Sequence, residues 1–515
     1  MDERKKRAKL QKSMGPGSIW AVAVGSIIGW GCFLQGGIWT ERAGGPLPLF
    51  LGFLIGGLLM IVVGYSYSYM IAKFPVAGGE FAYAYKGFGR TASYVCGWML
   101  SLGYLAIVAL NATALPVLAS YIFPGVFTHG YLYTIAGYDV YLGEVALSLF
   151  FIILFGIMNY RGAKSVGNLQ LAMVLIMCAA VVVSVIGVVV TGHFDTANLQ
   201  PAYGAGGKSF GGGLASILAL APFLYVGFDC IPQAAEEYDF PPQKCKALIV
   251  SALIVGALIY GAMALVTDCA MPWQQVLQLT DANGVAVKWH TGAILEFAMG
   301  KLGVGFVALA VCMGIFTGMN GFFMTSSRLL FGMARAKMLP SMFEKVHPKY
   351  KTPSVCVIFT MLLCCICPFF GREVIGWVVD MCSVGTAFGY FFTCAGAYIL
   401  LKKYGDPNDT NRIRPSTALC GCIISVAILL LLVIPGSPAF MAPQSFAALA
   451  AWVLMGVVFY FYAKRDFSTI AKREMDYLIL GNVQVVRGMR KGQQPGAVVQ
   501  GNVVDPNRAT HTTQH

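Results

Sequence analysis

Residues 25–33 read Gly25-Ser26-Ile27-Ile28-Gly29-Trp30-Gly31-Cys32-Phe33, and residues 221–229 read Ala221-Pro222-Phe223-Leu224-Tyr225-Val226-Gly227-Phe228-Asp229. Each stretch lies within a long apolar run, and each carries residues that an α-helix tolerates badly. Three glycines fall within seven residues of the first, each costing up to ~1 kcal/mol relative to alanine in a helix. In the second, Pro222 removes a backbone donor, Gly227 follows, and Asp229 sits at the same depth. An apolar solvent offers the backbone no partners, so a helix broken inside it must line a cavity or be buried in protein.

Composition identifies that solvent as a bilayer. Of the 515 residues, 57% are hydrophobic and 11% charged, whereas soluble chains carry roughly 25% charged residues. The apolar residues come in blocks, and about 20 of them cross a hydrocarbon core. Spans are predicted near 18–40, 47–74, 90–122, 140–159, 167–191, 211–236, 246–268, 298–328, 353–370, 374–401, 416–434 and 444–463. The second, third and eighth are long, which predicts tilt or a cytoplasmic extension. With the N-terminus inside, 31 of the 36 Lys and Arg residues fall on the inner side, and Arg42, Lys208, Lys288, Lys301 and Arg372 fall outside. The net charge of +13 is therefore a positive-inside bias and not a nucleic-acid footprint. It predicts a multi-pass protein of the cell membrane with both termini cytoplasmic. The first apolar run follows the basic segment Met1–Lys12 and is too long for a cleavable signal. Most of the 15 cysteines, such as Cys364, Cys365 and Cys367, sit inside apolar runs and read as small buried hydrophobes rather than zinc or disulfide partners.

The two breaks fall in spans 1 and 6, the same position in two successive five-helix units. Interrupted segments at matching positions of two halves point to a substrate site. Broken helices present free N–H groups to an anion and unwound carbonyls to a cation, so a zwitterion fits. Asp229 at this depth is costly and reads as functional. The alternatives are structural: Gly25 and Gly29 form a small-xxx-small pair suited to close helix packing, and Asp229 could pair with a neighbouring helix. Asn111 and Asn320 read as interhelical hydrogen-bonding groups, and Asp380, near the outer end of span 10, reads as partly solvated, with recognition of a basic side chain as the alternative.

The chain resembles the amino acid–polyamine–organocation superfamily of permeases over roughly residues 15–465. The 25–33 stretch is similar to its first-helix motif. Phe228-Asp229-Cys230-Ile231 with Ala235-Glu236-Glu237 resembles the sixth-helix signature of the cationic amino acid transporter branch. Ser326-Ser327-Arg328 through Met333-Ala334-Arg335 and Leu339-Pro340, and Val379-Asp380-Met381-Cys382-Ser383-Val384-Gly385-Thr386, resemble the segment after helix eight and helix ten. The resemblance implies an all-α, LeuT-like 5+5 inverted repeat of twelve transmembrane helices, with helices 1 and 6 broken and two helices added at the C-terminus. It divides the chain into a basic N-terminus (1–17), a ten-helix transport core (18–401), helices 11–12 (402–465) and a largely disordered cytoplasmic tail (466–515). The implied activity is secondary active transport of amino acids by alternating access, through symport or exchange. An amine or polyamine exchanger is the alternative.

By the same resemblance, N–H groups of Gly29, Trp30 and Gly31 take the substrate carboxylate, and carbonyls of Ile27, Phe223 and Val226 take its amine. Phe223 stands where relatives place an aromatic gate. Ser26, Gly227 and Asp229 complete the expected contact set. Trp30 departs from the small residue many relatives carry, which opens the site to an amine without a carboxylate; its indole could stack on a cation. Residues 167–191 lack the lysine of some proton-coupled relatives. Thr317 beside the Gly25 and Ile28 carbonyls suggests sodium, protonation of Asp229 suggests a proton, and exchange needs neither. Glu236 and Glu237 fall at the cytoplasmic mouth as gate or helix-end residues.

No cofactor or metal is expected. The six histidines (His129, His193, His290, His347, His511, His515) lie in loops or the tail, and no HExxH or GxSxG occurs, which argues against an enzyme. The expected partners are a small-molecule substrate and the lipid bilayer.

Overall fold

In the computed structural model the described residues are mostly helical. The structure describes residues 7–481 apart from 9, 35, 136–137, 281–286, 288, 371–373, 405–408, 410 and 438; the predicted tail beyond 481 lies outside the described residues. The helices are α1 Pro16–Ile28, α2 Gly31–Leu34, α3 Gly36–Ala43, α4 Pro46–Lys73, α5 Gly79–Phe88, α6 Arg90–Ile122, α7 Leu142–Arg161, α8 Ala163–Val190, α9 Phe210–Leu218 and α10 Ala221–Tyr225. They continue as α11 Cys230–Gln233, α12 Cys245–Ala270, α13 Trp273–Val276, α14 His290–Arg335, α15 Ser354–Cys364, α16 Val374–Tyr404, α17 Pro415–Val433, α18 Pro443–Phe467 and α19 Lys472–Leu480.

Among the described residues, nine helices are long and apolar enough to cross a membrane. The other three predicted spans fall on shorter pieces: α1–α3, α9–α11, and α15 followed by a 3-10 turn at Cys367–Phe370. The long eighth span is bent at Gly300, whose φ of 65° and ψ of −155° interrupt α14. Several helices start on proline after an extended residue, as α17 and α18 do, where the missing N–H would have no intrahelical partner anyway.

One connection between helices is a β-hairpin. Tyr131–Ile135 pairs antiparallel with Tyr138–Tyr141 in the connection from α6 to α7. Tyr, Thr, Ile and Val favour a pleated ribbon, and outside an apolar run nothing imposes a helix on them.

Helix α1 lies inside the bundle against α8, α12 and α14, with its residues from Ala21 to Ile28 all buried. Around it, α14 packs along α8 and α6, α12 along α4, and α16 along α6. At the periphery, Leu454, Val458 and Phe461 of α18 are more than 60% exposed. Such an apolar outer face requires a lipid solvent. The segment after α18 begins with α19, whose Met475, Leu478, Ile479 and Leu480 are buried, the helix packing against α5 and α14.

Candidate substrate cavity

The first break is built by glycine. Helix α1 ends at Ile28, Gly29 adopts φ 50° and ψ −149°, and α2 begins two residues later at Gly31. A positive φ of this kind is open to glycine and strained for other residues. The break is also a close approach: a Cβ on Gly314 of α14 would stand 2.1 Å from the Gly29 carbonyl oxygen, and one on Gly31 would stand 2.8 Å from the Trp39 ring.

The second break has the same logic. Helix α10 ends at Tyr225, Val226 is extended (ψ 131°), and Gly227 has φ 138°. Asp229 folds back onto the break: its Oδ1 accepts the Gly227 N–H at 2.7 Å and its Oδ2 accepts the Tyr104 hydroxyl at 2.9 Å. The two breaks touch, because a Cβ on Gly227 would lie 2.5 Å from the Ile27 nitrogen.

Carbonyls freed by both breaks converge on one side chain. The Tyr260 hydroxyl of α12 lies 2.7 Å from the Ile27 oxygen, 3.2 Å from the Ile28 oxygen and 2.9 Å from the Leu224 oxygen. Its single proton satisfies acceptors on both broken helices by turns.

Between the breaks lies a cavity of about 30 Å³, lined by residues 26–31, Trp39, Ile107, Leu110, Asn111, Phe223, Val226 and Tyr260. That volume holds a few waters at most. None of these side chains is charged. Two polar atoms in the lining, Ser26 Oγ and Asn111 Oδ1, are buried without a hydrogen-bond partner. Asn111 Nδ2 is tied to the Ile107 carbonyl of its own helix at 2.8 Å. The cavity therefore offers apolar and aromatic walls, two unpaired polar side-chain atoms, and the backbone of two broken helices.

Of the residues singled out by sequence, Ser26, Ile27, Ile28, Gly29, Trp30, Gly31, Phe223 and Val226 line this cavity. Gly227 and Asp229 do not; they stand behind the wall, holding the second break in shape. The sodium candidates separate: the Thr317 hydroxyl lies 3.1 Å from the Gly25 oxygen, while the Ile28 oxygen faces Tyr260 instead. The Gln170 amide nitrogen donates to the Thr317 carbonyl at 3.0 Å and abuts Gly25.

Glu236 and Glu237 form ion pairs beyond the second break. Glu236 Oε1 meets Arg7 at 2.7 Å and Arg335 at 2.8 Å, and Glu237 takes Arg328 through Nε at 2.8 Å and Nη2 at 3.2 Å. Burial, and then the neighbouring Arg335, pull the Arg7 guanidinium below its ordinary value against the opposing pull of Glu236. Arg7 also donates to the Leu478 and Ile479 carbonyls at the end of α19. N-terminal segment, second broken helix, α14 and α19 are thus locked together below the cavity.

Sequence reasoning missed Tyr260, Trp39, Ile107 and Leu110. All four are ordinary apolar-run residues whose spacing carries no signal. Asn320 does bridge helices, receiving Asn159 at 3.0 Å and donating to Gln170 at 2.7 Å. Asn111 instead faces the cavity, and Asp380 accepts from Ser445 at 2.8 Å.

The family model described as amino acid permease matches residues 15–459. The methylthioribose transporter of Bacillus subtilis is 26% identical over 92% of this chain and 97% of its own. The branched-chain amino acid permease BcaP of the same organism is 24% identical over 90% and 95%. The vacuolar cationic amino acid transporter 4 of Arabidopsis thaliana is 25% identical over 80% and 66%. Family and relatives are transporters of small molecules embedded in membranes, and none is named as an enzyme. With a model matched across nearly the whole helical chain and two broken helices meeting at a cavity, this chain belongs to the amino acid permease family of the amino acid–polyamine–organocation superfamily.

Proposed function

We propose that the chain carries neutral amino acids by alternating access around the cavity between its two broken helices. The observation that carries this reading is the lining: backbone of both breaks, aromatic and aliphatic walls, and no charged side chain. A substrate carboxylate would meet N–H groups around Gly29, Trp30 and Gly31, and its amine the carbonyls of Ile27, Phe223 and Val226. The cavity has room for only a few waters in this conformation, so binding would widen it, and the apolar side chain would then lie against Trp30, Trp39, Ile107 and Leu110. A lysine, arginine or polyamine would bring a second cation into a cavity with no acid to meet it, at a desolvation cost nothing offsets.

Around this site the reading places twelve spans in a LeuT-like 5+5 inverted repeat plus two C-terminal helices, in the cell membrane with both termini cytoplasmic. The ion pairs of Glu236 and Glu237 serve as the inner gate. A proton is favoured over sodium as coupling ion. Only the Gly25 carbonyl and the Thr317 hydroxyl converge, and the Gln170 amide nitrogen, a donor, abuts them.

The test is counterflow in proteoliposomes preloaded separately with leucine, isoleucine, arginine, putrescine or methylthioribose, each challenged with the same labelled compound. Exchange with the two neutral amino acids alone supports the reading. Exchange only with arginine or putrescine, or only with methylthioribose, overturns it.

A further inference from the structure

Below the cavity, two carboxylates share one hydroxyl. Glu80 opens α5, Asp229 follows the second break, and both side chains are fully buried. The Tyr104 hydroxyl of α6 lies 2.9 Å from Asp229 Oδ2 and 3.2 Å from Glu80 Oε1. The far oxygens are also bound: the Gly227 N–H reaches Asp229 Oδ1, and Gln233 Nε2 reaches Glu80 Oε2 at 2.5 Å. None of the ion pairs among the described residues involves either carboxylate.

Hydrogen counting decides the charge state of this arrangement. Tyr104 has one proton to give and two carboxyl oxygens to satisfy. Both contacts are full hydrogen bonds only if one carboxyl carries a proton of its own and donates it to the Tyr104 oxygen. Two uncompensated charges against one hydroxyl in an apolar interior would be costly, and like-charged carboxylates in such a site share a proton. A second observation points the same way. Gln233 Oε1 is buried without a partner, while the same amide touches Glu80 through its nitrogen, so an acceptor lacking a hydrogen stands beside the pair.

We propose that Glu80, Tyr104 and Asp229 form a proton-binding site that holds one shared proton and couples its release to movement of the second broken helix. The proton has two positions. In one, Glu80 Oε1–H donates to Tyr104, and Tyr104 donates to ionised Asp229. In the other, Asp229 Oδ2–H donates to Tyr104, and Tyr104 donates to ionised Glu80. Moving between them breaks two O–H bonds and forms two, and needs no other reactant. The link to the cavity is Asp229 Oδ1, which accepts the N–H of Gly227 at the break itself. Loss of the shared proton leaves two facing anions, one on α5 and one on the broken helix, and drives these elements apart. The titratable groups facing the pair are phenols and thiols: Tyr67 of α4, Tyr83 of α5, Cys96 of α6, Cys230 of α11, and Cys382 and Tyr390 of α16. None supplies a cation to replace the proton.

The proposal rests on the transport reading above but is tested apart from it. Infrared spectra of the detergent-purified protein at neutral pH report a protonated carboxyl directly. The wild type should carry a deuterium-sensitive protonated-carboxyl band that Glu80→Gln lacks. In proteoliposomes, wild type should accumulate leucine when an inward pH gradient is imposed. Glu80→Gln and Tyr104→Phe should still exchange leucine but lose gradient-driven accumulation. Tyr104→Phe keeps both carboxyls and serves if Glu80→Gln does not fold. An unchanged infrared band in Glu80→Gln, or gradient-driven accumulation at the wild-type level in both variants, overturns the proposal. If the wild type exchanges no leucine, the substrate reading fails and the infrared band alone decides the proton site.

Discussion

The hydroxyl of Tyr260 stands 2.7 Å from the carbonyl oxygen of Ile27 and, through the same oxygen, 2.9 Å from that of Leu224, so one side chain on α12 spans both broken helices. Removing the hydroxyl strands buried acceptors that lost their helical partners at the breaks. An unsatisfied buried acceptor costs ~1–3 kcal/mol. Tyr260→Phe is therefore expected to lower the melting temperature of the purified protein and to slow leucine counterflow. An unchanged melting temperature would show that water replaces the hydroxyl at no cost.

A second prediction contrasts two glycines on one helix. A Cβ at Gly314 would enter the carbonyl of Gly29 at 2.1 Å, whereas one at Gly305 meets nothing within 4 Å. Gly314→Ala should force α14 away from the first break and abolish uptake. Gly305→Ala should leave uptake intact and stabilise the helix by up to ~1 kcal/mol. Thermal unfolding and uptake of the two variants, run side by side, check both halves.

Asn111 offers the cavity an unpartnered Oδ1 while its amide nitrogen holds Ile107. Asn111→Asp keeps the shape and adds a negative charge to a lining that has none. Arginine or lysine should then compete for leucine uptake by the variant and not by the wild type. Competition by neither cation would mean that the carboxyl stays protonated or turns away from the substrate.

How much of this was legible in the sequence follows from what each feature depends on. Gly29 and Gly227 announced the breaks because a missing Cβ is a local property, and both adopt the positive φ that only glycine accepts easily. Nine of the predicted spans fall on helices long and apolar enough to cross a membrane, because apolar length is local too. Tyr260 and Trp39 were invisible, since what makes them matter is which helix stands opposite, and their own neighbours in sequence say nothing of that. Asp229 was legible as an anomaly but not in its role. Its depth marked it as costly, yet only the fold brings Tyr104 and Glu80 to it and turns it away from the cavity. The hairpin at Tyr131–Ile135 was missed because the apolar-run pattern carries no information between the runs.

The last prediction concerns the ion pairs of Glu236. Glu236 is shared by Arg7 and Arg335, with its side chain 9% exposed and theirs 6% and 3%. Replacing the carboxylate with an amide leaves two guanidinium groups facing each other with one neutral acceptor between them. Breaking a buried ion pair by removing one partner costs ~3–5 kcal/mol. Arg7 is free to leave, because it sits on the N-terminal segment and not on a packed helix, so Glu236→Gln should release that segment before it unfolds the bundle. With it goes the contact from Arg7 to the Leu478 carbonyl, and α19 loses one of its anchors. The expected result is faster hydrogen exchange in residues 7–14 and 472–480, with α14 protected as in the wild type. Equal loosening of α14 would mean that Glu236 holds the bundle itself and not a separable gate.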